Sequence, residues 1–140
     1  MKEAKRKIST LAPYKIKDGS ALIFLQKRSK DAGRYPGLFG FFGGGTEENE
    51  TPEEALFREI KEELDFIPKN LKHFGKYDLP ITIMDLFVSK VSDDFENEII
   101  VSEGEYGRWF SEEDFEKERN FITGDLTILE ELYEKLPKYE

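Results

Sequence analysis

The stretch from Gly43 to Phe66, GGGTEENETPEEALFREIKEELDF, constrains the fold more than any other part of the chain. A glycine-rich loop leads through an acidic connection into a segment whose start is well marked. Thr51 can cap a helix, Pro52 suits the first helical position because its missing N–H has no partner to lose there, and Glu54 completes a capping box with Thr51. The spacing predicts a helix from about Pro52 to Leu64. At 100° per residue, Leu56, Phe57, Ile60 and Leu64 share an arc of about 100°, the width of a core-facing stripe. Their target is the core.

Glu59, Glu62 and Glu63 fall at i, i+3 and i+4 on a neighbouring arc, so their carboxylates can converge. Glu63 lies only about 20° from Leu56 on the helical wheel. A solvated acidic face would sit opposite the apolar one, as Lys61 and Arg58 more nearly do. Carboxylates held together beside a core repel one another unless a cation or a basic partner neutralises them. In a chain that is 36% charged, the plain alternative is a wet acidic surface.

A longer pattern decides between the two. Gly44, five residues, Glu50, seven residues, then Arg58-Glu59-Ile60-Lys61-Glu62-Glu63 followed by Leu64, Asp65 and Phe66 resembles the signature of the Nudix hydrolase family. With six fixed positions, a chance match at one site is rarer than roughly one in ten million. One position departs: the family's glycine after the glutamate pair is Asp65. Glycine there suits a left-handed residue closing the helix, and Asp is among the few others that tolerate that conformation. A softer departure is Phe42, where many relatives carry proline.

The resemblance implies an α/β fold, an α/β/α sandwich with a mixed β-sheet. The order of elements along the chain agrees with that. It also implies metal-dependent hydrolysis of a nucleoside diphosphate linked to another group. Glu59, Glu62 and Glu63 are then the expected ligands and catalytic carboxylates, with the Gly43 carbonyl as a further ligand. Arg58 would form a pair that fixes the glutamates, and Glu50 would support the cluster or a second cation. An outlying acid stands six residues before a tryptophan in the family. Glu103, six before Trp109, matches it, with Glu105 as runner-up, and either Glu103 or a helix glutamate could be the general base. Oxygen ligands without nitrogen or sulfur favour Mg²⁺ or Mn²⁺.

The expected substrate is a nucleoside triphosphate, cleaved to monophosphate and pyrophosphate in the manner of the bacterial mutator type. The rivals are an ADP-ribose or nucleotide-sugar diphosphatase, for which Pro80 lies near the downstream proline spacing, and a non-catalytic Nudix-like nucleotide sensor. In the mutator type, basic residues after the second strand contact the nucleotide, and Lys27 and Arg28 match them. Phe39 or Phe41 could stack on a base. Asp125 lies where those enzymes carry a base-reading amide side chain, and Asp would alter the donor and acceptor pattern offered.

Charge and composition bound the partners. A formal net charge of −9 argues against a nucleic-acid polymer, whose binding depends on clustered Lys and Arg. It does not argue against a small polyphosphate held through bridging cations. There are no cysteines, so neither a disulfide nor a thiolate site arises. No apolar run approaches a membrane span, and MKEAKRK lacks a signal peptide's apolar segment. The expectation is one domain over residues 1–140, cytoplasmic, with no membrane partner. The resemblance leaves a homodimer open.

The remaining elements follow from period and punctuation. Lys7–Tyr14 and Ala21–Gln26 read as strands joined through Asp18-Gly19, a hairpin signal. Leu38–Phe42 reads as one short strand, and Leu71–Tyr77 and Ile81–Val91 as two more. His73 is expected on a strand surface, and Ser92–Glu98 as a mobile acidic loop. Ser111 can cap a short helix through Glu116. A final helix over Leu126–Leu136 would bury Leu126, Leu129, Leu132, Tyr133 and Leu136.

Overall fold

A computed structural model describes residues 4–101 and 106–139. Among these residues seven strands form one mixed sheet: β1 (Arg6–Lys17), β2 (Ser20–Lys27), β3 (Phe39–Gly40), β4 (Phe42–Gly45), β5 (Leu71–Asp78), β6 (Thr82–Lys90) and β7 (Tyr106–Phe110). β1 is its axis. On one edge it runs parallel to β6 from Arg6↔Thr82 to Tyr14↔Lys90. Its antiparallel partners share it by halves, β4 taking Ile8–Leu11 and β2 taking Tyr14–Lys17. The β1–β2 turn is the two-residue Asp18-Gly19, with φ of 53° and 79°, the left-handed pair that matches strand twist in a type I′ hairpin.

Helices cover both faces. α1 (Pro52–Leu64) puts Leu56, Ile60 and Leu64 against Leu11, Phe24, Phe42 and Phe87. On the other face, α3 (Glu112–Lys117) and α4 (Leu126–Lys135) pack Phe115, Ile128, Leu129, Leu132 and Tyr133 against Ala12, Ile23, Leu25, Leu86 and Val88. Strand alternation sends odd and even positions of β2 to opposite faces, so one sheet carries two apolar clusters. This is the expected α/β/α sandwich.

The start and the stop of α1 both follow local chemistry. Thr51 and Glu54 exchange the two bonds of a capping box, at 3.1 and 2.9 Å. Asp65 ends α1 in the left-handed region, φ 49° and ψ 47°, its N–H bonded to the Lys61 carbonyl. Lys61 Nζ also donates to Asp65 Oδ1 at 2.7 Å, which offsets an acid at the negative end of the helix dipole. The glycine of the family signature is therefore dispensable here. Phe42 stacks on Phe24 with ring centroids 5.6 Å apart and so fills the α1 face of the core.

Several expectations change. Leu38–Phe42 is two strands, because β3 pairs with β2 while β4 pairs with β1. The Ser92–Glu98 connection is anchored rather than loose: α2 (Phe95–Glu98) buries Phe95 completely, its ring edge-on to Phe24, Phe66 and Trp109. Leu126 is exposed and Ile128 buried in its place, since a 3₁₀ turn over Thr123–Asp125 sets the phase with which α4 meets the sheet. No helix among the described residues is long and apolar enough to cross a membrane.

Candidate active site

Where β1 changes partner from β4 to β2, the sheet opens into a cleft of about 820 Å³. β4 and the helix that follows it form one wall. Gly43 pairs with Thr10 in β1 at a φ of +131°, and a Cβ there would lie 2.1 Å from the Ser9 carbonyl oxygen. Only glycine lets the strand pass this close.

Glu63 is 2% exposed, and its Oε1 accepts a hydrogen bond from the Gly43 N–H at 3.1 Å. The next residue, Gly44, leaves room for the Glu59 carboxylate, which lies 2.6 Å from where a Cβ would stand. Gly43 and Gly44 thus each meet one helix carboxylate at the cleft wall. Both Glu59 and Glu63 line the cleft.

Arg58 holds this arrangement together. Its Nε and Nη2 donate to the two oxygens of Glu50 at 2.8 Å each, its Nη1 to Glu59 at 2.9 Å, and Nη2 also to the Gly45 carbonyl at 2.9 Å. A planar guanidinium can satisfy two carboxylates and a carbonyl at once where an ammonium cannot. The bond from Arg58 holds the Glu50 carboxyl down at about 2, and the same contact raises the Arg58 pKa. Glu62 stands apart, its side chain 54% exposed and 3.9 Å from Arg58 Nη1.

The three helix glutamates do not meet at one point, and among the described residues no three Asp, Glu, His or Cys side chains are already gathered around one. Glu59 is held by Arg58 and Glu63 by the Gly43 N–H, while the Glu62 side chain is largely exposed. The donor chemistry still suits a hard cation, since the wall offers only carboxylate and carbonyl oxygen, and two glycines without side chains leave the space beside it. Glu103, and its runner-up Glu105, lie outside the described residues.

The opposite wall carries the nucleotide-side candidates, and two of the expected ones are absent. Gln26 and Arg28 line the cleft, whereas Lys27 faces the other side of β2 and sits over the Phe39 ring at 4.8 Å. Alternation along a strand imposes this, so Lys27 is withdrawn from the site. Phe39 is withdrawn too: it is 2% exposed and packs edge-on to Phe110, 4.8 Å between centroids. Phe41 is on the cleft wall.

Asp125 lines the cleft as well, 6% exposed, and burial alone pushes its carboxyl up to about 7. Arg34, a member of the basic cluster that follows the second strand, lines the cleft too, and so does Arg6, which the sequence left unmarked. Arg6 belongs to a basic N-terminus, and its place on β1 becomes visible only through the β1–β4 pairing. His73 is a strand-surface residue, Nε2 2.9 Å from Asp85 Oδ1, and takes no part in the cleft.

Comparison with known proteins gives this wall its kin. The 8-oxo-dGTP diphosphatase of Escherichia coli strain K12 is 34% identical over 98 residues, 69% of this chain and 74% of that protein. The nucleoside triphosphatase NudI of Enterobacter sp. strain 638 is 47% identical over 49 residues, a match that spans only 35% of either chain. The solved NUDIX domain of Shewanella oneidensis NrtR, in complex with ADP ribose, superposes with a TM-score of 0.76 over 96% of this chain and 90% of that one. At 16% identity that likeness speaks for the fold alone. The NUDIX domain family model matches residues 6–132. A match that runs from the first strand into the last helix takes in the glycine strand and the Arg58 helix together, and the chain belongs to the NUDIX domain family of hydrolases.

Proposed function

We propose that the chain is a nucleoside triphosphate pyrophosphohydrolase that works with Mg²⁺ or Mn²⁺ and releases monophosphate and pyrophosphate. One observation carries this reading: a single cleft joins the Glu59 and Glu63 carboxylates, the Arg28 and Arg34 guanidiniums and the buried Asp125. Those groups match in turn the reacting phosphates, their charge, and a base. The named activities of the two curated relatives support the same substrate class.

Glu59, Glu62, Glu63 and the Gly43 carbonyl would hold the cation, and Arg58 with Glu50 keeps Glu59 against Gly44. Such an ion neutralises phosphate oxygens and acidifies a bound water. In the reaction, a water oxygen attacks phosphorus, the bridging P–O bond breaks with its electron pair leaving on pyrophosphate, and the water's proton passes to a carboxylate. The glutamates of α1 are the bases at hand among the described residues, and Glu103 remains the other candidate.

Asp125 would read the base, with Phe41 stacking beside it. A carboxyl titrating at about 7 is largely protonated just below neutrality, and a protonated carboxyl offers one donor and one acceptor, as an amide does. Burial thus restores in Asp the hydrogen-bonding sense of the amide that the mutator type carries.

The test is a substrate panel with Mg²⁺ and Mn²⁺, spanning canonical and oxidised nucleoside triphosphates, ADP-ribose, nucleotide sugars and dinucleoside polyphosphates. Pyrophosphate plus monophosphate from a triphosphate is expected, and Glu62→Gln should lose turnover by orders of magnitude. Two monophosphates from ADP-ribose would shift the assignment to a diphosphatase, a second reading favoured by Pro80 standing on the cleft wall. Release of no phosphate from any nucleotide would leave a binding protein.

A further inference from the structure

Gly45, the last residue of β4, pairs with Ile8, and its missing side chain has a replacement. An ideal Cβ there would lie 3.1 Å from Arg6 Nη2 and 3.6 Å from Arg6 Nε and Cζ. Two strands of the same sheet thus lay the Arg6 guanidinium on the residue whose carbonyl accepts from Arg58. Arg6 itself remains open to the cleft. Partial burial lowers its pKa, and the charges of Arg34 and Arg28 lower it further while Glu59 opposes them. Arg28 Nε donates to the Arg34 carbonyl at 2.8 Å, folding the 28–38 loop so that both side chains reach the cleft. Like charges gathered in this way are disfavoured unless an anion is shared between them.

β4 and the residue pair before it give these groups an order. Asp125 lies against Gly40, Glu63 holds the Gly43 N–H, Glu59 lies against Gly44 and Arg6 against Gly45. Five residues of chain span at most about 18 Å. Along this run the carboxylates accordingly stand between the buried acid and Arg6.

Resting on the pyrophosphohydrolase reading above, we infer that Arg6, with Arg34, forms a subsite for the phosphates beyond the bond that breaks, and makes Arg6 the residue that selects nucleoside triphosphates over substrates that carry a single, sugar-linked phosphate there. A base placed at Asp125 with its phosphates across Glu63 and Glu59 must project its leaving group toward Gly45. Pyrophosphate arriving there meets guanidiniums that can bind two oxygens at a time. A sugar phosphate, with one phosphate in place of two, leaves part of the same cationic surface unsatisfied.

Binding in EDTA separates this subsite from catalysis. Titration calorimetry with deoxyguanosine mono-, di- and triphosphate and with inorganic pyrophosphate is run on the wild type, Arg6→Gln, Arg6→Lys and Arg34→Gln. The wild type should bind triphosphate about tenfold or more tighter than monophosphate, and Arg6→Gln should lose most of that preference while monophosphate affinity stays within about twofold. Pyrophosphate should weaken about tenfold in Arg6→Gln, Arg6→Lys should recover part of the loss, and Arg34→Gln should show a smaller loss of the same kind. An Arg6→Gln protein that keeps its triphosphate preference, or loses mono- and triphosphate affinity equally, overturns the subsite. If Arg6→Gln does not fold, Arg6→Lys and Arg34→Gln carry the same comparison. Absence of turnover by the wild type with Mg²⁺ or Mn²⁺ would defeat the hydrolase reading without touching these affinities.

Discussion

Glu50 and Asp125 are both carboxyls at the edges of the site, and their surroundings drive them in opposite directions. Arg58 donates two bonds to Glu50 and holds it down at about 2, while burial lifts Asp125 to about 7. One end is built to stay ionised beside cations, and the other to carry a proton near neutral pH. Pairs of carboxyls driven apart in this way mark distinct chemical duties within one site. In the proposed reading the division runs between a polyphosphate and a base.

The widest expected gap between the two ends is catalytic. Glu59→Gln should lower kcat by about 10³-fold or more while the protein still melts cooperatively, and a smaller loss than tenfold would remove Glu59 from the reacting end. Gly44→Ala should produce a related defect without altering charge, because the added methyl would stand in the space of the Glu59 carboxylate.

Asp125→Asn probes the neutral end through stability. The native carboxyl has a raised pKa, so its contribution is fully present below the unfolded value near 3.8 and is lost as pH rises through about 7. Melting of the wild type should therefore fall relative to Asp125→Asn as pH rises from about 4 to 8, by a few kcal/mol at most. Parallel melting curves for the two proteins across that range would show that the carboxyl is not held neutral.

Arg58→Gln should reach both properties of the charged end at once. A loss of about 1–3 kcal/mol is expected from the partly buried network, and the Glu50 carboxyl, followed by NMR titration, should return toward its ordinary range. The smallest effect belongs to Lys27→Gln, which should leave KM within about twofold, because its ammonium lies on the far side of β2 over Phe39. A tenfold rise in KM would return Lys27 to the cleft.

What the sequence disclosed follows from how local each cause is. Thr51, Pro52 and Glu54 act within one turn, so α1 begins and ends where the pattern puts it. Glu63 stands near the apolar arc on a wheel, and it is buried. The errors arise where a neighbour distant in sequence decides. Phe39 and Phe41 look alike in a single strand, and both are buried in one core cluster, but only Phe41, between β3 and β4, also reaches the cleft wall. The acidic connection looked solvated because one phenylalanine among acids is a weak signal, and yet Phe95 is completely buried. Arg6 had no local mark at all, since its place in the cleft depends on lying beside Gly45.

The parallel pairing of β1 with β6 also has a bearing on how the protein is made. Arg6 leaves the ribosome well before its strand partner Thr82, which follows only after the glycine strand, α1 and β5 have emerged. Closing so long a loop costs chain entropy before any contact repays it. The arginine end of the cleft can thus take shape only late in synthesis, whereas the capped helix that bears the glutamates has the local signals to form early.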